Sequence, residues 1–112
     1  MTRQPSGNPC PVNRILRVVM GTWTTYILWN LHRLGTLRFG ELRAAIPDIS
    51  AKVLTERLRM LEHEGLVHRD YTPTIPPQVA YSLTDKGREL HEVLDGLAAL
   101  AVKWQSEAPR HE

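Results

Sequence analysis

The side chains of this sequence best suited to bind another molecule are concentrated in one segment. Between residues 50 and 59, hydroxyl and cationic groups recur at short spacings: Ser50, Lys52, Thr55 and Arg59. At about 100° per residue, Lys52 and Arg59 fall on the same side of a helix and Thr55 lies at its edge. Ammonium, guanidinium and hydroxyl groups donate hydrogen bonds to phosphate oxygens and base edges. This side therefore suits a nucleic acid, or it is simply solvated.

The other side of the same helix is apolar, and its positions fall within one narrow sector: Ala51, Leu54, Leu58 and Leu61. Charge is graded along the helix, with Lys52, Arg57 and Arg59 before Glu62 and Glu64. This gradient places positive charge at the helix end whose dipole already favours phosphate. Glu56 interrupts the gradient. It either accepts a hydrogen bond from a cytosine amino group or pairs with Arg59, and we favour the pair.

Cys10 is the only thiol of the chain, so an intrachain disulfide is excluded and a reducing compartment is expected. One interpretation is a small, half-buried apolar residue. The other is a reactive thiolate, favoured by a helix N-terminus and by Arg14 one turn later. One thiol per chain allows a mixed disulfide, an electrophile adduct, or a bridge between two chains whose Cα atoms approach within about 7 Å.

Patterns typical of enzymes are missing from the sequence. The five histidines show no metal-ligand spacing with Cys10: His32, His63, His68, His91 and His111. No glycine-rich phosphate loop or nucleophile motif is present, so we predict no catalysis, metal or cofactor. No apolar run approaches the roughly 20 residues of a membrane span, and the N-terminus lacks the apolar centre of a signal peptide. We therefore expect a cytoplasmic protein with no membrane partner.

At 112 residues the chain is long enough for one domain. Its net charge is only +2, but residues 1–37 contain four arginines and no acid. That asymmetry favours a polyanionic partner. We predict a flexible arm over residues 1–9, a single domain over residues 10–104 and a frayed tail over residues 105–112.

The elements that must position these side chains begin with two helices. Pro11 suits the first helical residue, with Cys10 as its N-cap, and Gly21 ends this helix. Thr22 or Thr24 starts the second helix, which Gly35 closes. Residues 37–39 form a short extended strand, and residues 40–46 form a helix that Pro47 ends. After a tight turn, Ser50 caps the helix described above, and Gly65 closes it.

Beyond Gly65 the periodicity changes to that of a hairpin. Residues 66–71 and 79–83 are predicted strands, joined by a loop that three prolines stiffen. Thr84 then caps one long helix that extends to Trp104. The predicted fold class is mainly α with a small β-hairpin (α+β), in the winged helix-turn-helix arrangement.

The last helix carries a broad apolar stripe at alternating steps of three and four: Leu90, Val93, Leu97, Leu100 and Trp104. The stripe either covers only its own domain or forms a homodimer seam shared with the first helix, through Ile15, Val18 and Val19. We favour the homodimer, because two-fold symmetry doubles the contacts to a duplex. Aromatic residues at such a seam could bind a small-molecule effector, although they are more often core: Trp23, Tyr26, Trp29 and Trp104.

Five segments carry a family resemblance: CPVNRILRVVMGTW, ILWNL, LRFGELRAAIPDIS, LTERLRMLEHEGLVHRDY and PPQVAYSLTDKG. From about Cys10 to Trp104 they resemble the HxlR-type winged helix-turn-helix transcriptional regulators, in family order and spacing. The resemblance implies a small bacterial DNA-binding regulator, usually a homodimer, in a family of which several members respond to oxidants or electrophiles through an N-terminal cysteine. One departure is Thr22, which stands where the family usually has a lysine. Thr22 could still cap the second helix.

Carried onto this chain, the resemblance implies DNA contacts from the recognition helix: Ser50, Lys52, Thr55 and Arg59. It adds Arg38 as a phosphate contact, and Arg69, Thr72 and Thr74 from the strand and wing. Because no lysine or arginine lies between Thr72 and Gln78, the wing is expected to make backbone or hydroxyl contacts in a groove. The alternative for Arg69 is a cross-strand pair with an acid.

Two functions follow from these patterns. The first is a sequence-specific, homodimeric regulator bound to promoter or operator DNA. The second is a winged helix that binds another protein without contacting DNA, which would not need Lys52 and Arg59 on its outer face.

Overall fold

The computed structural model of this protein describes residues 10–107, so the predicted arm (1–9) and the last five residues lie outside it. In chain order the elements are α1 (Asn13–Val19), α2 (Thr22–Leu34), β1 (Leu37–Arg38), α3 (Phe39–Ala45), α4 (Ala51–His63), β2 (Val67–Thr72), β3 (Gln78–Leu83), α5 (Asp85–Arg88) and α6 (His91–Glu107). This order confirms the winged helix-turn-helix arrangement, with α3 and α4 as the helix pair and β2–β3 as the wing.

The predicted hairpin is confirmed, and the short strand predicted at residues 37–39 joins it as β1. The antiparallel sheet has the order β1-β3-β2, so β3 is central. Tyr81 lies opposite Leu37 on one side and Arg69 on the other, while Thr72 pairs with Gln78 where the wing loop begins. The strand β1 is only two residues long, but it ties the start of α3 to the wing.

A tight turn sets the angle between α3 and α4. Asp48 has a positive φ of 68°, a conformation that aspartate tolerates better than most residues. Ile49 is buried beneath the turn, and Ser50 then caps α4 by accepting a hydrogen bond from the Val53 N–H at 3.1 Å. At the other end Gly65, with φ of 80°, turns the chain from α4 into β2. The predicted start and stop of this helix are therefore confirmed.

The core lies where α2, α3, α4 and the sheet meet. Its largest fully buried side chains include Ile27, Leu28, Leu42, Leu54, Leu58 and Leu61. Three of these form the predicted stripe of α4, and Ala51 beside them is partly buried. Burying a leucine stabilises a fold by roughly 1.5–3 kcal/mol, so this stripe fixes which side of α4 remains outside.

The predicted start of the first helix is wrong. Its first residue is Asn13, and the N-cap is Val12, which makes no side-chain hydrogen bond. The Cys10 carbonyl instead accepts a hydrogen bond from the Asn13 N–H at 2.9 Å, which closes a turn before the helix. A thiol is not among the preferred capping groups, which accounts for this difference. Similarly, Gly21 rather than Thr22 is the N-cap of α2, and Thr22 is its first helical residue.

The predicted single helix after Thr84 is two helices. Thr84 does cap, accepting a hydrogen bond from the Gly87 N–H at 3.0 Å, but the helix that it caps ends at Arg88. At Gly87 a Cβ would lie 2.2 Å from the Leu66 carbonyl oxygen, so this close approach requires glycine. The guanidinium of Arg88 donates to the Leu83 carbonyl at 2.8 Å. These contacts hold α5 against the sheet and separate it from α6.

The predicted domain end at Trp104 falls inside α6, which continues through Glu107. Residues 105–107 are thus helical rather than frayed, because the helix has no glycine or proline to stop it there. Only residues 108–112 of the predicted tail lie outside the described chain. None of the helices described within residues 10–107 is both long and apolar enough to cross a membrane.

Candidate nucleic-acid interface

The outer face of α4 is exposed as predicted. Lys52, Glu56 and Arg59 are exposed, and Thr55 is partly buried at the edge. Ser50 is exposed as well, and its hydroxyl oxygen is engaged with the Val53 N–H, which leaves the hydroxyl proton free to donate. These side chains all lie in the N-terminal two and a half turns of the helix.

The predicted pair between Glu56 and Arg59 is wrong. Within residues 10–107 the ion pairs are Arg14–Glu64, His32–Asp95 and Arg88–Asp85. Arg59 instead lines an open cavity of about 430 Å³ between α4 and the sheet. Its aliphatic stem has apolar neighbours in that cavity, and its charge is left without an acid within 4 Å. Lys52 is likewise outside these ion pairs.

This cavity joins the recognition helix to the wing. Thr55, Arg59 and Glu62 line it from α4, Arg69 lines it from β2, and its floor is apolar: Phe39, Leu58, Val79 and Tyr81. Arg59 and Arg69 thus lie at one cavity although they are ten residues apart in the sequence. Two guanidinium groups at one opening, with a single carboxylate, favour an anionic ligand such as phosphate.

Arg69 does not have the acidic cross-strand partner considered above, because Tyr81 lies opposite it. Its guanidinium carbon is instead 5.7 Å from the centre of the Tyr71 ring on the same strand. Such a cation–π contact contributes about 0.5–1 kcal/mol at an exposed site. It orients the arginine while leaving its N–H groups available to another acceptor.

Arg38 and the two wing threonines are exposed. The backbone N–H of Arg38 donates to the Glu41 carboxylate at 2.8 Å, which fixes the start of α3 and leaves the guanidinium free. Thr72 is the last residue of β2. Thr74 donates its hydroxyl proton to the Pro76 carbonyl at 2.8 Å, so its side chain shapes the loop and retains only acceptor capacity.

A second cavity, of about 710 Å³, lies between α1 and the opposite flank of α4. It is lined by Cys10, Pro11, Asn13, Arg14, Arg17, Val18, Arg57, Met60 and Glu64. Cys10 is exposed there, so the half-buried interpretation is wrong. The sequence reasoning did not identify Arg17 and Arg57 as neighbours, because only the packing of α1 on α4 brings them together.

Arg14 does not act on Cys10 as expected, because its guanidinium donates to the Glu64 carboxylate at 2.8 Å. This hydrogen bond is the main reason that the pKa of Glu64 lies below its usual 4.5, and the nearby charges of Arg14, His63 and Lys86 add to it while desolvation opposes it. Because the pKa in the folded protein is depressed, the pair stabilises fully above the ordinary pKa and is lost as pH falls through the lowered value. At neutral pH it therefore links α1 to the end of α4.

The predicted dimer stripe of α6 is largely uncovered. Val93, Leu97, Leu100 and Trp104 are exposed, whereas Leu90 is partly buried. Leu94 alone anchors the helix fully in the core. On α1, Ile15 is exposed and Val18 partly buried, but Val19 is only 2% exposed. Val19 packs inside its own protomer and is not available for an interface, which corrects that assignment.

The two apolar surfaces are continuous. They meet at an open cavity of about 300 Å³ between α1 and the start of α6, where Ile15, Val18, Leu90 and Val93 line the wall beside four charged residues: Arg14, Glu64, Lys86 and Glu89. Three of the aromatic residues considered for an effector are neighbours on α2, where the Trp23 and Tyr26 ring centres are 6.1 Å apart and Tyr26 and Trp29 line one cavity, whereas Trp104 lies on α6. Trp23 and Trp29 are partly buried against the core, while Tyr26 and Trp104 are exposed on different helices. Within residues 10–107, no group of three or more potential ligands could hold a metal.

The HxlR-like helix-turn-helix family model matches residues 18–109. The chain is 40% identical over 99 residues to sll1512 of Synechocystis sp., described as an uncharacterized HTH-type transcriptional regulator, and the match covers 88% of this chain and 73% of that one.

Solved structures share the fold over nearly the same length. The HTH-type transcriptional regulator ytcD gives a TM-score of 0.82 at 35% identity, covering 88% of this chain and all of that one. The redox regulator HypR in its reduced form gives a TM-score of 0.78 at 36% identity, and the match covers 86% of this chain and 94% of that one. The oxidized form of HypR gives a TM-score of 0.72 at 39% identity, and the match covers 92% of this chain and 100% of that one. The chain therefore belongs to the HxlR-like helix-turn-helix family.

Proposed function

We propose that this protein is a sequence-specific, DNA-binding transcriptional regulator that acts as a homodimer. The observation that carries the proposal is the outer face of α4, where Lys52 and Arg59 are exposed and unpaired within the described chain while Leu54 and Leu58 hold the opposite side in the core. A helix presented in this way fits the major groove with its N-terminal residues toward the bases.

In this arrangement the side chains of α4 and those on either side of it make different kinds of contact to the duplex. Lys52, Thr55 and Arg59 reach base edges or phosphates from α4, and Ser50 donates its free hydroxyl proton to a phosphate near the helix N-terminus. Arg38, Arg69 and Thr72 contact the backbone on either side and fix the register of the protein on the duplex. Thr74 holds the wing loop in shape.

The homodimer rests on the exposed stripe of α6 and its continuity with Ile15 on α1. So large an apolar surface on a small protomer is typical of an interface. A two-fold dimer would place two copies of α4 about one duplex turn apart, roughly 34–36 Å, on a palindromic operator. Bound there, it would act by occluding or recruiting the transcription machinery. The protein would act in the cytoplasm, where its DNA is, and would catalyse no reaction.

Salt titration tests the electrostatic part of this proposal. Binding of the wild-type protein to a duplex from the promoter beside its own gene should weaken steeply between about 50 and 200 mM salt, because each neutralised phosphate releases counterions. Fluorescence anisotropy at four or five salt concentrations gives the slope. A flat response would argue strongly against DNA as the partner.

We also propose that Cys10 is the sensing thiol. It is exposed at the cavity that Arg17 and Arg57 line, so an oxidant or electrophile can reach it from solvent. HypR, a relative of similar fold, is described as a redox regulator and was solved in reduced and oxidized forms. Oxidation of two Cys10 thiols to an intermolecular disulfide would release two protons and transfer two electrons to the oxidant.

Cys10→Ser should bind the operator as tightly as the wild type in reductant and lose any change that diamide or a quinone causes. Anisotropy with and without the reagent measures this, and non-reducing electrophoresis detects a bridged dimer in the wild type. If wild type and variant respond identically to both reagents, Cys10 is not the sensor.

A further inference from the structure

The tip of the wing exposes an isoleucine. Ile75 is 100% exposed and lies at the centre of the loop between the paired residues Thr72 and Gln78. No cation occurs within this loop, and the nearest charge on the wing is the acid Asp70. Because the wing loop carries no positive charge, the wing tip cannot gain affinity for DNA by neutralising phosphates.

The loop is held in shape without help from a ligand. Pro73, Pro76 and Pro77 each fix φ. Thr74 uses both its hydrogen-bond donors within the loop, since its N–H donates to the Thr72 carbonyl and its hydroxyl to the Pro76 carbonyl, each at 2.8 Å. A preorganised loop loses little conformational entropy on binding, so burying Ile75 would yield most of its hydrophobic free energy as affinity.

The wing is attached to the flank of α4 that faces DNA in the proposed function. Arg69, on the wing stem, lines the same cavity as Thr55 and Arg59 of α4. From Arg69 the stem runs three more residue pairs to Thr72 and Gln78, which is roughly 10 Å at about 3.3 Å per residue. With α4 in a major groove, a projection of this length would extend from the α4 flank toward the neighbouring minor groove.

We propose that Ile75 enters the minor groove beside the α4 site and is buried there as an apolar wedge against deoxyribose and base edges. Isoleucine is among the side chains that minor-groove proteins use in this way. This inference rests on the proposed function and adds a contact independent of charge. A protein partner is the weaker alternative, because one apolar side chain is far smaller than the roughly 800 Å² that each partner buries in a stable protein interface.

A graded series tests the wedge: Ile75→Val, Ile75→Ala and Ile75→Ser. Because the side chain is fully exposed, all three should keep the wild-type melting temperature. Affinity for the operator duplex should fall, for each wing of the dimer, about fourfold for valine and about fiftyfold for alanine, with serine weaker still. The slope of log affinity against log salt should not change in these variants. In Ile75→Lys, by contrast, the slope should steepen by about 1.8, because each of the dimer's two wings gains a phosphate contact.

Two results would overturn the wedge. One is an Ile75→Ala protein whose operator affinity stays within twofold of wild type. If a reporter then loses regulation although DNA affinity is retained, the wing tip binds a protein instead of DNA. The other is a loss of affinity with a flatter salt slope, which would indicate a displaced phosphate contact. A wild type that binds no promoter DNA removes the proposed function itself, whereas a binding wild type with a neutral Ile75 removes only the wedge.

Discussion

A double variant, Lys52→Ala with Arg59→Ala, is expected to bind operator DNA at least about a hundredfold more weakly than wild type, since each lost contact of this kind costs about 1–3 kcal/mol. Both side chains are exposed and lie outside the ion pairs of residues 10–107, so their removal leaves the core intact. The melting temperature should therefore stay within a few degrees of wild type. If both cations contact phosphates, the homodimer loses four such contacts and the salt slope should also fall by about 3.6.

The matched control is Arg33→Ala with Lys103→Ala, which removes the same charge from exposed positions on α2 and α6. The control should lose only the few-fold affinity expected from net charge. Equal losses in the two double variants would mean that charge alone, and not the α4 face, governs binding. An α4 variant that binds like wild type would favour the protein-interaction module.

Leu97→Asp is expected to dissociate the dimer and to weaken operator binding by about two orders of magnitude, because linked half-sites gain roughly 10²–10⁴ in avidity. Leu97 is 44% exposed in the protomer, so aspartate there is solvated in the monomer and strongly unfavourable in an apolar seam. Sedimentation velocity at micromolar concentration measures the oligomeric state, and circular dichroism checks that the protomer remains folded.

Val102→Asp is the control for this variant. Val102 is 64% exposed on the same helix, but at about 100° per residue it lies on the side of α6 opposite the predicted seam. This variant should remain dimeric and bind normally. A Leu97→Asp protein that stays dimeric, or a wild type that is monomeric at micromolar concentration and still binds its site tightly, would contradict the proposed interface.

Local signals explain why α4 could be predicted from the sequence. Ser50 supplies an acceptor for the first turn, Leu54 and Leu58 repeat at helical spacing, and Gly65 allows the positive φ that ends the segment. Each signal depends on neighbours along the chain. The short strand at residues 37–39 could also be predicted locally, but its place in the sheet could not, because Leu37 and Arg38 pair with Tyr81 and Ala80 far along the chain.

The break between α5 and α6 has a similar origin, since Gly87 is required by its close approach to Leu66 and not by its neighbours in the sequence. In the candidate site, spacing alone placed Lys52 and Arg59 on one face. It could not place Arg59 beside Arg69, or pair Arg14 with Glu64 fifty residues away. Val19 was misassigned for the same reason, because an apolar position shows that a side chain is buried but not which molecule buries it.

Hydroxyl-radical footprinting on the promoter beside this protein's own gene tests the central claim most directly. The account predicts two symmetric protected regions centred about one helical turn apart, roughly 10 bp, with protection in the adjacent minor grooves where the wings lie. Protection should disappear in the Lys52→Ala, Arg59→Ala protein at the same concentration. The absence of any protected region with wild-type protein at micromolar concentration and low salt would contradict the account.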